Sequence, residues 1–431
     1  MPASSSPPAH PPLPRAVWLL SWVSFFADVS SEMVYPLLPL FVVGVLGSSK
    51  TALGAVEGSA VFIVAIMTAF AGWRSDRMGR RVPWIRFGYG LPVLGKTIIA
   101  LATVWPMVLG GRLLDRFGKG LRSSPRDALI ADAVSPNQRG RAFGLHRAFD
   151  TAGALLGVLL SALLLWWLTG SPRNGAATDG TEQAWAYRTI LGVGAALGLA
   201  SLVLTFLVRE SEPVPISSRL EAPDGGAPPP VNDVMADGWM GLPVPYWTVL
   251  GMLLLFAAAN SSDTFLLLRA SDLGLAPWAV VLAYALFNLV YAAVSYPAGA
   301  LSDRIGRWRV IAVGWFVYVV VYLGFAVANA AGVWLLMALY GVSIGLTDGV
   351  GKALIADVAP QARRGTAMGL FYGATGITTL GSSLIAGLAW DRLGPHAPFL
   401  IGGICAALAL AALPIGRKWA LRGRGSGVRS A

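Results

Sequence analysis

The residues able to do chemistry in this chain are charges set where charge is expensive. Within long apolar stretches stand Asp28, Glu32, Glu57, Asp115, Asp127, Asp150, Asp263 and Asp348, together with Lys96, Arg112, Arg116, Lys119, Arg122, Arg126, Arg147, Arg269 and Lys352. An ionisable side chain costs about 3 kcal/mol or more at the centre of a bilayer unless it is paired or wet. Each therefore requires a reason. With successive residues turned by 100° on a helix, Arg112, Arg116, Lys119, Arg122 and Arg126 fall within an arc of about 120°, a basic stripe on one face. Asp28 and Glu32 are one turn apart, Arg147 and Asp150 are i,i+3 neighbours, and Asp348 and Lys352 form an i,i+4 pair.

Two chemistries fit this pattern. One is a self-neutralising ion network that holds helices together. The other is a proton and solute site, in which a carboxylate facing Arg stays ionised while one facing a dry surface takes a proton. Asp28, Glu32 and Asp263, with Glu57 behind them, are the candidate proton sites. Arg112, Arg116, Lys119, Arg147, Asp150, Asn260, Asn288, Tyr291, Asp348, Lys352 and Tyr372 are the candidate solute-binding residues. So dense a basic stripe suits an anionic solute, which guanidinium groups bind bidentately. The acids of the first, second and fifth spans are expected to oppose the stripe, with Arg122 and Arg126 at the cytoplasmic mouth.

Other chemistries have no residues to carry them. Cys405 is the one cysteine, and His10, His146 and His396 are far apart, so no metal or thiol centre is expected. No nucleotide-binding glycine loop or nucleophile–base spacing is present, and no cofactor is expected; a membrane-embedded sensor or enzyme is a remote alternative.

The elements that position these charges are membrane spans. Of 431 residues 55% are hydrophobic and only 13% charged, against roughly 25% charged in a soluble domain, and mean hydropathy is +0.63. Lipid is the solvent for most of such a chain. The net charge of +11, from 33 Lys and Arg against 22 Asp and Glu, then belongs to cytoplasmic loops and anionic headgroups rather than to nucleic acid. Stretches long enough for a hydrocarbon core of about 30 Å fall near 16–45, 51–71, 83–103, 105–132, 142–167, 187–208, 246–270, 277–300, 309–329, 331–357, 366–390 and 396–415. The predicted organisation is a disordered tail over 1–15, a six-helix bundle over 16–208, a polar linker over 209–244, a second bundle over 245–415 and a basic tail over 416–431. An even number of spans puts both termini on one side. The basic residues gather there, which makes it the cytoplasmic side of the cell's inner membrane. Trp166 and Trp167 read as interfacial anchors.

The halves repeat. GWRSDRMGRR, from Gly72, returns as GALSDRIGR from Gly299; ALIADAVSPNQRGRAFGL, from Ala128, returns as ALIADVAPQARRGTAMGL from Ala353; and Ser30-Ser31-Glu32 returns as Ser261-Ser262-Asp263. Three blocks in one order imply duplication, and two such bundles would enclose a cavity at the bilayer midplane.

With these repeats the chain resembles the major facilitator superfamily over nearly its whole length after residue 15. The loop pattern G-x-x-x-D-R-x-G-R, carried by Gly72, Asp76, Arg77, Gly79 and Arg80 and again by Gly299, Asp303, Arg304, Gly306 and Arg307, is the specific signature. The resemblance implies an all-α fold of twelve transmembrane helices with pseudo-twofold symmetry. It also implies a conformational latch in which Asp76 caps a helix of the other half and Arg80 pairs with Asp132; the second copy would use Asp357. Arg74 stands where that loop is usually apolar. Arg112 matches the family's Arg in the fourth span, with Asp115 and Arg116 where Gln and Gly are usual. Gly144, Gly153 and Gly157 in the fifth span, and Pro36 and Pro39 in the first, resemble the drug:proton antiporter branch, the glycines being expected to pack across the bundle interface.

The expected function is proton-coupled secondary transport of a small organic molecule, with export by antiport first. The alternative is import of an organic anion or siderophore-like chelator by proton symport. The expected partners are the solute and the lipid bilayer, with a monomeric protein and no nucleic acid.

Overall fold

The computed structural model describes residues 12–78, 80–134, 139–169, 180–209, 242–360 and 364–425. Among these the regular structure is helical throughout. Helices α1 (Arg15–Val34), α2 (Lys50–Met78), α3 (Val82–Leu101), α4 (Trp105–Asp132), α5 (Arg139–Thr169) and α6 (Gly180–Thr205) form one half. The other half holds α7 (Val244–Ala257), α8 (Thr264–Asp272), α9 (Pro277–Ile305), α10 (Arg307–Val327), α11 (Ala330–Val358), α12 (Arg364–Leu393) and α13 (Ala397–Gly425). Because α7 and α8 are two pieces of one crossing, the thirteen helices make twelve crossings. The 209–244 stretch lies almost wholly outside the described residues.

Eight of the described helical segments are by themselves long and apolar enough to cross a membrane. The charged α4 is not among them. It lies between α2 and α3, which cover it, while α1 packs on α5 and α6. In the second half α9 packs on α11, α10 on α11 and α13, and α7 on α13. The halves meet along two pairs, α2 with α12 and α5 with α9.

Three departures from the sequence expectations have local causes. The first crossing tightens to a 3₁₀ turn at Tyr35–Leu37 and loosens to a π-helical turn at Leu40–Val45, because Pro36 and Pro39 each remove a backbone donor. The seventh crossing, expected to run unbroken over 246–270, stops at Ala257 and restarts at Thr264. Its break carries Asn260-Ser261-Ser262-Asp263, short polar residues whose side chains compete for backbone hydrogen bonds. Finally, α13 continues to Gly425, past the expected end at 415, in a stretch where Arg417 and Lys418 are good helix formers.

The α2–α12 contact is closest at the end opposite the chain termini. A Cβ on Gly54 would stand 2.2 Å from the Ser383 carbonyl oxygen, one on Gly58 2.8 Å from the Leu380 Cα, and one on Gly387 2.4 Å from the Lys50 carbonyl oxygen. Only glycine permits backbone to lie on backbone here. Asp391 finishes the seam by capping the first turn of α2, accepting from Lys50 N at 3.1 Å, Thr51 N at 2.9 Å and Thr51 Oγ1 at 2.8 Å.

Candidate functional site

Towards the terminal end α2 and α12 separate, and between the halves lies a cavity of about 740 Å³. Glu57, Val64 and Thr68 of α2, Arg112, Arg116 and Lys119 of α4, the broken segment from Asn260 to Asp263, and Met368, Tyr372, Thr375 and Thr379 of α12 line it.

The first wall is built around Arg112. Its Nε and Nη2 donate to Glu57 Oε1 at 2.9 Å and Oε2 at 3.0 Å, a bidentate fork, and its Nη1 reaches Asp115 at 3.5 Å. Lys96, from α3, donates to Ser30 Oγ at 2.7 Å and Ser31 Oγ at 3.0 Å and lies 3.7 Å from Asp115. These charges are buried and mutually satisfied. Two cations of the same wall are not. The Arg116 Nε lies 3.2 Å from Asp115 yet is not aligned to donate, leaving it buried without a hydrogen bond. Among the described residues the Lys119 ammonium makes no hydrogen bond or ion pair; it feels Asp28 and Glu32 of α1 only through space.

The second wall is the α7–α8 break, where groups released from the helix are met by side chains. The Ala259 carbonyl accepts from the Tyr318 hydroxyl at 3.1 Å and the Asn260 carbonyl from Ser382 at 2.9 Å, while Ser262 N donates to Ser383 Oγ at 3.1 Å. The Tyr340 hydroxyl donates to Asp263 at 2.5 Å. Across the two halves the Tyr284 hydroxyl donates to Glu32 at 3.3 Å, and the Tyr284 and Tyr35 rings lie 5.4 Å apart. Glu32 and Asp263, which the internal repeat sets at equivalent positions, are thus each held by one tyrosine hydroxyl and paired with no cation among the described residues.

Of the sequence candidates, Glu57, Arg112, Arg116, Lys119, Asn260, Asp263 and Tyr372 come together in this cavity. Arg147, Asp150, Asn288, Tyr291, Asp348 and Lys352 are not among the residues lining it. Asp348 accepts from Tyr291 at 3.0 Å and Lys352 at 2.8 Å, and Asn288 donates to the Tyr284 carbonyl. Asp150 lies 3.5 Å from His146 Nδ1, whose Nε2 meets Ser24 at 2.9 Å; Arg147 is exposed and Asp28 half-buried.

Two placements correct the sequence reading. Arg122, expected at the mouth, is 4% exposed; its guanidinium lies 4.2 Å from the Tyr89 ring centroid and donates to the Gly88 carbonyl, held where α4 closes on α3. Arg126 is turned inward to Ser24 as well as to Asp127. Gly153 and Gly157 do not serve the interface between halves. They seat α5 on α1 of the same half, where a Cβ would stand 2.5 Å from the Phe25 carbonyl oxygen and 2.4 Å from that of Val29.

At the terminal end Asp132 is met by Arg81 at 2.7 Å, one position beyond the Arg80 that the motif suggested, and Arg307 holds Asp357 through Nε at 2.5 Å and Nη2 at 3.3 Å. Arg77, Arg80 and Arg304 are exposed, and Gly306 turns between α9 and α10 at φ +92°. Gly79 and the side-chain surroundings of Gly72, Asp76, Gly144 and Asp303 lie outside the described residues.

Sequence reasoning missed the tyrosines. Tyr35, Tyr284, Tyr318 and Tyr340 stand in apolar runs, where nothing separates a buried hydrogen-bonding phenol from an interfacial anchor. Asp115 was counted among the intramembrane charges, but its place between Lys96, Arg112 and Arg116 needs the α3–α4 contact.

Two helical bundles, a cavity between them with a few charged side chains in a largely apolar lining, and a broken helix at its wall form the frame of a membrane transporter of small molecules, and the sequence relationships agree. The sequence profile of the Major Facilitator Superfamily matches residues 20–377 and again 249–426, and the chain belongs to that family. It is 34% identical over 404 residues to an uncharacterised MFS-type transporter of Methanocaldococcus jannaschii, covering 92% of this chain and 94% of that one. A multidrug resistance protein, MdtH of Photorhabdus laumondii, is 35% identical over 133 residues, 31% of this chain and 33% of its own. The twelve-helix fold is shared with the nucleoside transporter NupG, at TM-score 0.70, 13% identity and coverage of 94% and 99%, and with a D-xylose–proton symporter, at 0.66, 18%, 92% and 95%.

Proposed function

We propose that the protein is a proton-coupled secondary transporter, without a cofactor, for a small organic solute bearing an anionic group. It works as a monomer in the cytoplasmic membrane with both termini inside, the side on which its basic loops and tails gather. The observation that carries this reading is the division of charge at the cavity. Arg116 and Lys119 have hydrogen-bonding capacity to spare for an anion. Glu32 and Asp263, each on a single tyrosine hydroxyl, are the carboxylates whose charge no base neutralises, and such groups inside a membrane mark proton pathways. Arg112 and Glu57, satisfied by each other, position the wall.

In liposomes carrying an imposed pH gradient, a carboxylate solute should accumulate or be depleted with wild-type protein. Glu32→Gln and Asp263→Asn should retain counterflow while losing the response to the gradient. Unchanged response in both variants would return these carboxylates to a structural role. Export by antiport draws on the partial likeness to a multidrug resistance protein. The basic wall favours the other reading, uptake with a proton.

A further inference from the structure

We propose that the solute is an amphiphile, an organic anion whose acidic head lies against Arg116 and Lys119 and whose apolar tail runs along α2 and α12 towards the terminal end. This rests on the anionic reading of the cavity above.

The cavity changes character with depth. Close approaches fix the antiparallel register of α2 and α12: Gly54 stands at Ser383, Gly58 at Leu380 and Gly376 at Phe62. Glu57 and Thr379 therefore lie at the floor, where Glu57 is held by Arg112. At the helical rise, Val64 is about 10 Å nearer the terminal end than Glu57, and Gly369 about 15 Å nearer it than Thr379. Thr375, whose hydroxyl is buried without a hydrogen bond, stands between. Beyond the floor, α2 and α12 offer the cavity Ala60, Val61, Val64, Met368, Gly369 and Tyr372. Thr68 also lines this stretch and donates its hydroxyl to the Val64 carbonyl at 2.8 Å. The cations are at the same depth, because α4 runs beside α2 with Gly120 at Met67, which sets Lys119 and Arg116 level with this strip. Charge is thus on one side of the cavity and apolar surface on the other.

A small hydrophilic anion would leave that surface to water. Val61 and Tyr372 line the cavity and are 42% and 43% exposed. Gly369 is exposed as well, and a Cβ there would meet nothing within 4 Å. No neighbouring helix requires a glycine at this position, so its missing side chain is room in the cavity. A tail laid on the strip removes apolar surface from water, and the cations opposite hold the head. Apolar walls with a few placed charges are the usual form of a pocket for an organic ligand. The competing occupant is the protein itself, because α2 and α12 must close on each other here when the cavity opens to the far side.

The test is calorimetric binding of propane-, pentane- and heptanesulfonate, which carry a permanent charge, to the full-length protein in lipid nanodiscs, with empty nanodiscs as the blank. Affinity should rise about fourfold per methylene, about 200-fold from the shortest to the longest. Gly369→Leu, which puts a stronger helix former where the tail would lie, should keep the affinity for propanesulfonate and flatten the rise to less than about twofold per methylene. Arg116→Gln should weaken the whole series by one common factor of about tenfold or more and leave the rise intact. Hexyltrimethylammonium should bind more weakly than heptanesulfonate. Equal affinity along the series, or a rise that Gly369→Leu leaves untouched, overturns the proposal while the anionic cavity stands. A uniform loss along the series in Gly369→Leu makes the strip a packing surface of the other state, and also overturns it. Binding of the cation as tight as that of the sulfonates, or no binding of any sulfonate, overturns the anionic reading itself, and the proposal with it.

Discussion

Replacing Gly54 by alanine tests whether the α2–α12 seam holds the cavity open at the terminal end. The added Cβ would meet the Ser383 carbonyl oxygen at 2.2 Å and its carbon at 2.9 Å. Both are backbone atoms, so no rotamer change relieves the contact. The helices must part by about an ångström to restore ordinary contact near 3.5 Å, and overpacking of this kind costs about 1–3 kcal/mol. The cost falls on one state only, because the seam exists only while that side is shut. The ratio of terminal-open to terminal-closed protein should drop about 5- to 150-fold. Thr68, on the cavity wall of α2, reports the state. In a Cys405→Ser background, maleimide labelling of Thr68→Cys should slow when Gly54→Ala is added, by at most the factor by which that ratio drops. Gly251→Ala, where a Cβ meets nothing within 4 Å, should leave the rate alone. An unchanged rate in folded Gly54→Ala protein would refute the claim that the seam sets the balance.

Two further outcomes follow from the cap on α2 and the Glu57–Arg112 ion pair. Asp391→Ala removes the cap on α2 and should cost the same closed seam about 1 kcal/mol, slowing Thr68→Cys labelling by up to about fivefold. Partial burial raises the Asp391 carboxyl, but the donors of Thr51 and Lys50 outweigh it and hold it below the usual carboxylate value. Its contribution is therefore complete at neutral pH and lost only as pH falls through that lowered value; a seam transition near pH 7 would contradict this assignment. Glu57→Gln strips the bidentate partner from a guanidinium that is 2% exposed and should destabilise by about 3–5 kcal/mol, read as a fall in thermal midpoint. The double variant with Arg112→Gln should recover much of it, whereas a small loss in the single variant would show that Asp115 suffices alone.

The twelve crossings were legible because lipid imposes length and composition on every span, and the repeat made the two halves legible as well. The stripe on α4 pointed to the cavity wall as far as Lys119 and failed at Arg122, since a helical arc gives the face of a charge but not what closes over it. The Glu32–Asp263 equivalence was visible from the repeat, while the tyrosine hydroxyls that hold both carboxylates were not. The conspicuous glycines, Gly153 and Gly157, serve α5 and α1 inside one half. The pair that serves the interface, Gly54 and Gly58, looks the same in sequence, because spacing identifies a close approach without naming the partner helix. The break at Asn260–Asp263 was read as polar lining within a continuous span; the hydroxyls of Tyr318 and Ser382, far away in sequence, are what allow the backbone to open there.

The backbone seam also has an electrical consequence. Measured along α2 from Lys50 to Glu57, the solid layer between the cavity floor and the far surface is about 10 Å of helix, a third of a hydrocarbon core of about 30 Å. With water filling the cavity, the membrane potential drops almost wholly across that layer. A charge at the cavity floor therefore sits nearly at the voltage of the terminal side, and moving it to the other side is worth about 2.3 kcal/mol per 100 mV. Voltage then acts on the rearrangement that opens the seam more than on binding, and transient currents from this protein should track the rocking of its halves.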